Sequence, residues 1–268
     1  MARVLGLKQL LSKKYTFLEN LPEEIDYSFG KLVNNFTMIV WGNSGNGKSS
    51  FLMTFVITLM KYGKVLYVAL EEGFEATTQM NVVRSLNEQE HTGKIEFADS
   101  DMKYDELVNK LKKKKSPRFI IIDSIQYWDC NYERYKALKE MFPNKTFIFI
   151  SHATGKEPKG ATAQAIRFDV GIKARVEGFM VDVVSRYGGN KPYVIWEEGA
   201  KTYWGKNFRT AISGNKGGKK VYKTKKEKQK ANNEKPETPI HETNVLDRSQ
   251  ESLLGNTALI GKSESVLP

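Results

Sequence analysis

Short apolar runs alternate with longer stretches of helical period between residues 36 and 205. The runs at 36–41, 65–70, 94–97, 119–123, 146–151, 178–186 and 193–197 read as strands, and 48–62, 77–86, 104–115 and 132–141 read as helices. Strands that are apolar throughout, each followed by a helix, are the pattern of a mostly parallel sheet covered on both faces. The expected fold class is therefore α/β, with a central sheet and flanking helices. The pattern divides the chain into an N-terminal extension (1–35), a core (36–211) and a tail (212–268). In the tail the apolar period fails and Lys, Asn, Glu, Pro, Ser and Thr take over, so too little surface can be buried to offset ordering entropy and a disordered basic tail is expected.

Charge sharpens that division. The chain carries 42 Lys and Arg against 31 Asp and Glu. Residues 216–235 hold nine lysines and two glutamates, a local +7. Such a run suits either a solubilising tail or an electrostatic tether for nucleic acid. The mildly apolar stretch 252–260 is a candidate peptide for a protein partner. Lys112 to Lys115 reads as a solvated helix end favoured by the helix dipole. The single cysteine, Cys130, excludes a disulfide framework and a cysteine zinc site, which with the absence of a secretory signal pattern points to a cytoplasmic setting. No run reaches the roughly 20 apolar residues of a spanning helix, so no membrane association is expected.

The strand at 36–41 runs into Gly42-Asn43-Ser44-Gly45-Asn46-Gly47-Lys48-Ser49, with Ser50 opening an apolar helix. This is the G-x-x-x-x-G-K-[ST] phosphate loop in its required strand and helix context. Glycine-rich backbone lets N–H groups close around phosphate oxygens at a helix N-terminus. Lys48 then neutralises the β- and γ-phosphates, and the Ser49 hydroxyl is a ligand for Mg²⁺. ATP and Mg²⁺ are the expected cofactors. Hydrolysis also needs carboxylates. The run Phe119-Ile120-Ile121-Ile122 ends in Asp123, at the strand edge where ligands sit in such sheets, and Asp123 is the candidate acid on the metal side. The run 65–70 ends in Glu71-Glu72, and one of these two is the candidate base for the attacking water.

In this order of parts the sequence resembles the RecA-like ATPase core, in the branch of the RadA repair proteins and the DnaB replicative helicases. Tyr67-Val68-Ala69-Leu70-Glu71-Glu72 looks like the element that carries the family's catalytic glutamate, which implies Glu71. Asp123-Ser124-Ile125-Gln126 looks like the acid-serine-isoleucine-glutamine string, and Ser151 and His152 occupy the place of the polar sensor. Ser185-Arg186-Tyr187-Gly188 resembles the signature that carries an arginine finger, which implies that Arg186 completes the pocket of a neighbouring subunit in a ring or filament. Val184 stands where the signature has a lysine. The zinc module of RadA and the collar domain of DnaB have no counterpart, and a bare core is expected. The resemblance also implies a mobile DNA-binding loop after the sensor, where Lys156, Lys159 and Gly160 are the candidate contacts to single-stranded DNA. A second aromatic set, Tyr127, Trp128, Tyr132 and Tyr135, has helical spacing that favours packing over base stacking. The expectation is a DNA-binding ATPase of recombination, repair or replication, whether annealing or exchanging strands. A DnaB-like helicase motor and a nucleotide-gated signalling or scaffold ATPase that binds proteins are the rival readings.

Overall fold

The computed structural model describes residues 4–214. The Lys run at 216–235 and the stretch 252–260 lie outside the described residues. Among the described residues there are ten strands: β1 (Thr37–Trp41), β2 (Val65–Ala69), β3 (Ile95–Ala98), β4 (Phe119–Asp123), β5 (Thr146–Ser151), β6 (Ala153–Thr154), β7 (Glu157–Pro158), β8 (Ile172–Glu177), β9 (Met180–Ser185) and β10 (Tyr193–Val194). Eight of them form one sheet in the order β10-β9-β8-β1-β5-β4-β2-β3. From β8 to β3 all neighbours are parallel, and β9 and β10 extend the β8 edge antiparallel. This is the expected mostly parallel α/β sheet in RecA-like order, with β5 inserted between the phosphate-loop strand β1 and the acid-bearing strand β4.

Alternation along the strands sorts side chains into two cores, one on each face. On one face Met38, Val40, Tyr67, Ile121 and Ile148 pack under the helix Lys48–Met60. That helix buries eight of its thirteen residues, the composition of a helix covered nearly all round. On the other face Ile39, Val68, Ile122 and Phe149 pack under the helices Tyr104–Leu111 and Tyr132–Met141. Segment 1–35 contributes to the first core through Leu18, Ile25, Phe29 and Leu32, and the helix Glu23–Phe29 carries two of these four. Trp128 and Tyr135 are buried, in line with packing over base stacking, although Trp128 precedes the helix Tyr132–Met141 and shares no helix with Tyr135, and Tyr127 is exposed.

The strand expected over 193–197 shortens to Tyr193–Val194, with the unexpected helix Glu197–Trp204 after it, and the helix Glu23–Phe29 is not expected either. Four further elements differ from the sequence-based expectation. Strand β8, whose residues alternate buried and half-buried, gives no apolar run in the sequence because Lys173, Arg175 and Glu177 break it up. The strand expected over 178–186 begins only at Met180; Gly178 and Phe179, both with positive φ, form the β8–β9 turn. The helix Ala161–Asp169 stands where a loop is expected. The helix expected over 104–115 stops at Leu111 and leaves Lys112–Lys115 exposed in the following turn. Among the described residues no helix is long and apolar enough to cross a membrane.

Candidate nucleotide site

A parallel sheet aligns the C-terminal ends of its strands, so residues distant in sequence meet along one edge. Here β1 delivers the phosphate loop, β2 delivers Glu71 and Glu72, β4 delivers Asp123 and β5 delivers Ser151 and His152. A cavity of about 320 Å³ is lined by Ser44, Gly47, Lys48, Ser49, Glu71, Glu72, Asp123 and His152, among others, whereas Ser151 is buried and does not line it. Gly42, Asn43 and Asn46 line a second, adjoining recess against β8.

The loop is held by backbone packing. A Cβ on Gly42 would lie 2.3 Å from the Val176 carbonyl oxygen, so only glycine lets β1 leave the sheet this close to β8. Gly45 and Gly47 have φ of 75° and 96°, where other residues are strained. Asn46 ties the loop to the β8–β9 turn. Its Oδ1 accepts from the Gly178 N–H at 2.8 Å and its carbonyl accepts from Phe179 N–H at 3.2 Å. Lys48 Nζ donates to the Asn43 carbonyl at 3.1 Å. Burial lowers the Lys48 pKa, and the nearby charges of Asp123 and Glu71 oppose that shift.

Asp123 accepts a hydrogen bond from the buried Tyr67 hydroxyl. Burial, with help from the Glu71 and Glu72 charges, raises the Asp123 carboxyl to about 6 against the pull of Tyr67 and Lys48. Among the described residues no cluster of three His, Cys, Asp or Glu could cage a metal. A serine hydroxyl with one carboxylate is nonetheless a donor set suited to Mg²⁺ that arrives bound to phosphates, since this ion keeps several waters and needs few protein ligands. Ser49 and Asp123 would hold it.

The two glutamates diverge. Glu71 Oε2 lies 3.1 Å from His152 Nε2. Glu72 Oε2 accepts from the hydroxyls of Thr77 at 2.8 Å and Thr78 at 3.4 Å, at the start of the helix Ala76–Ser85. Glu71 thus stays with the strand-end groups while Glu72 is engaged by a helix. Behind His152 stands Gln126. Its Oε1 accepts from the His152 N–H at 3.2 Å, and its Nε2 donates to Ser151 Oγ at 2.8 Å and to the Lys159 carbonyl at 2.6 Å. Gln126 closes the acid-serine-isoleucine-glutamine string, yet its bridging position is visible only in three dimensions. Tyr67 gives no sequence signal of a site role, because a tyrosine within a strand reads as packing.

Lys156 sits in the turn of a β6–β7 hairpin rather than in an open loop, and Lys159 and Gly160 link that hairpin to the helix Ala161–Asp169. Trp41 Nε1 donates to the Lys156 carbonyl at 3.0 Å, Lys159 N–H donates to the His152 carbonyl at 2.9 Å, and Arg167 pairs with Glu157 at 2.6 Å. The hairpin is therefore fastened to β1 and β5 through its backbone, while the Lys156 and Lys159 side chains are exposed.

Arg186 is not brought to this cavity. Register pairs Glu177 with Met180 near the phosphate loop and Ile172 with Ser185 at the opposite end. Arg186 N–H donates to the Gly171 carbonyl there, and an Arg186 terminal N–H reaches the Phe168 carbonyl at 3.4 Å. About five strand residues at roughly 3.3 Å each separate it from the loop edge, so it does not serve the pocket of its own chain.

No family model matches the sequence, and no curated protein matches it. Solved structures that resemble the chain include an ATP synthase subunit, NeqB, from Nanoarcheaum equitans (10% identity, 60% of this chain, TM-score 0.45). The chain spans only 52% of that protein's length. The flagellar accessory protein FlaH from Methanocaldococcus jannaschii matches at 16% identity over 68% of this chain and 95% of its own, with a TM-score of 0.48. A KaiC-like protein from Pyrococcus horikoshii matches at 18% identity over 65% and 88%, also at 0.48. Overlaps this partial carry no argument about activity, which rests on the phosphate loop, the strand order and the acids gathered at one sheet edge.

Proposed function

We propose that this chain is a Mg²⁺-dependent ATP hydrolase that couples its nucleotide state to its grip on single-stranded DNA, working as a homo-oligomer in DNA recombination, repair or replication. The observation that carries the reading is the continuous contact path from Glu71 through His152 and Gln126 to the Lys159 backbone. A coupling device needs a physical connection between the group that meets the γ-phosphate and the element that meets the second ligand, and this path supplies one. Lys48 and the loop N–H groups would bind the phosphates, with Ser49 and Asp123 toward the metal, which offsets phosphate charge when bound. Glu71 would orient water. His152 competes for the same carboxylate oxygen, so a change at Glu71 is felt at His152. The exposed side chains of Lys156 and Lys159, in and beside a hairpin anchored through its backbone, suit contacts to a phosphodiester chain. Arg186, at the far edge, suits insertion into the pocket of a second copy.

The test is ATP turnover and binding of a fluorescent single-stranded oligonucleotide by wild type, Gln126→Ala and a Lys156→Ala, Lys159→Ala double variant. The double variant should lose oligonucleotide affinity and keep basal turnover. Gln126→Ala should keep both ligands yet lose the dependence of oligonucleotide affinity on an ATP analogue. An oligonucleotide affinity that never responds to nucleotide in wild type overturns the coupling and favours a protein-binding signalling ATPase.

A further inference from the structure

Three of the strands that carry the nucleotide site, β1, β4 and β5, have opposite ends, and those ends also converge. Asn35 precedes β1, Arg118 precedes β4 and Lys145 precedes β5, and together with Lys14, Tyr15 and Asn34 they border a recess of about 540 Å³. By strand rise it lies roughly 17–20 Å from the phosphate loop. Its chemistry is one-sided: Lys14, Arg118 and Lys145 line it and no Asp or Glu does. None of the three cations forms an ion pair within the described residues.

Two of the cations are fixed in place. Lys145 Nζ donates to Ser116 Oγ at 2.9 Å and to the Pro117 carbonyl at 2.7 Å. Arg118 Nε donates to the Asn34 carbonyl at 3.4 Å, and its two terminal amino groups have no hydrogen-bond partner among the described residues. Partial burial lowers the pKa of both groups, the cost of holding cations in a recess without a counter-charge. The planar fork of Arg118 matches two oxygens of a phosphate. Ser116 on its wall directly follows the exposed Lys112–Lys115 turn in the chain, and Tyr15 on its rim is 57% exposed. A single small anion would need the fork alone; three lining cations, further lysines just before Ser116 in the chain and an exposed aromatic ring suit a chain of phosphates with unstacked bases.

We propose that this recess is a second phosphodiester-binding site, which takes the backbone of single-stranded nucleic acid at the sheet edge opposite the nucleotide. The assignment rests on the nucleic-acid part of the proposed function but not on the hairpin. In the full chain, an oligo-dT probe is titrated against salt for wild type, for Lys14→Ala with Arg118→Gln, and for Lys156→Ala with Lys159→Ala. Gln at 118 keeps a donor for the Asn34 carbonyl, and a Lys14→Glu single variant, at an exposed position, guards against misfolding.

The Lys14, Arg118 pair should weaken binding about tenfold and reduce the logarithmic salt slope by about 1.4, two contacts at roughly 0.7 each, with ATP turnover unchanged. Lys14→Glu should shift binding in the same direction. Ultraviolet cross-linking of the wild-type complex should mark the peptide containing Tyr15. Unchanged affinity and slope in both recess variants overturn the proposal while leaving the hairpin reading intact if Lys156 and Lys159 matter. A loss confined to the recess variants supports it and removes the hairpin. Failure of wild type to bind the oligonucleotide overturns both. Inorganic pyrophosphate that binds as tightly as the oligonucleotide, or anionic vesicles that bind where oligo-dT does not, also overturns the nucleic-acid assignment.

Discussion

The two ends of β1, β4 and β5 belong to the same three strands and hold opposite chemistry. At the C-terminal end, where β2 adds Glu71 and Glu72, these two and Asp123 gather around one lysine, and nearly every polar group is engaged: Tyr67 holds Asp123, His152 meets Glu71 and Thr77 holds Glu72. At the N-terminal end, cations gather without acids and the Arg118 fork is unspent. An edge rich in charges of both signs can cycle a reaction because each group has a partner to exchange with. An edge of one sign is a holding surface, whose energy comes from the counter-charge it receives. The difference also locates Arg186, which lies at the same end of the sheet as the cationic recess and can act on an ATP pocket only in another copy.

The largest effect that separates the two ends is expected from Lys48→Ala. Nucleotide binding should fall below detection by calorimetry, whereas Arg118→Gln should leave it within about twofold of wild type. Equal losses in both would mean that the ends are not independent.

Glu71→Gln should retain ATP and lower turnover by about 10²–10⁴, the range for a positioned base. Glu72→Gln should change turnover by less than about threefold, since an amide oxygen still accepts from Thr77. Single-turnover measurements on both variants decide between the adjacent glutamates, and the reverse pattern would move the base by one residue.

Mixtures of Glu71→Gln and Arg186→Ala chains, each inactive alone, should regain part of the turnover near equal amounts, once energy transfer between labelled chains shows exchange. Flat activity in exchanging mixtures would sink the assignment of Arg186 to a neighbour's pocket.

The smallest effect is on stability. Burial raises the Asp123 carboxyl to about 6 from an ordinary 3.8, so folding favours its protonated form. Stability from this group is present at low pH and is lost as pH rises from about 4 through 6. Asp123→Asn, which cannot ionise, should therefore be more stable than wild type by about 1–3 kcal/mol at pH 7.5 and equal to it near pH 4, while losing Mg²⁺-dependent turnover. Urea unfolding of both proteins across that range checks the sign. A deficit in Asp123→Asn at neutral pH would show that Lys48 more than compensates the buried charge.

Legibility differs with the range of the interaction that decides each feature. The phosphate loop, from Gly42 to Ser49, is readable because its glycines answer a local demand, backbone N–H groups around phosphate at a helix start. Strands β1, β2, β4 and β5 are readable because burial on both faces leaves them apolar throughout. Strand β8 is not, because it alternates and carries three charged side chains, and only pairing with β1 and β9 makes it a strand. The order of strands, and with it the meeting of Glu71 with His152 and of Gln126 with Lys159, depends on contacts between residues tens of positions apart, which no window of sequence contains. The cationic recess is the extreme case: Lys14, Arg118 and Lys145 are ordinary surface residues by their place in the chain. Contiguous residues under local backbone and burial constraints suffice to establish that a phosphate loop exists and that two acid-bearing strands accompany it. Which end of the sheet each charge occupies is settled by the fold alone, because parallel pairing sends the six strands from β8 to β3 the same way, while the antiparallel β9 carries Arg186 to the far end. The residues after each parallel strand then collect at one edge, and the residues before it collect at the other.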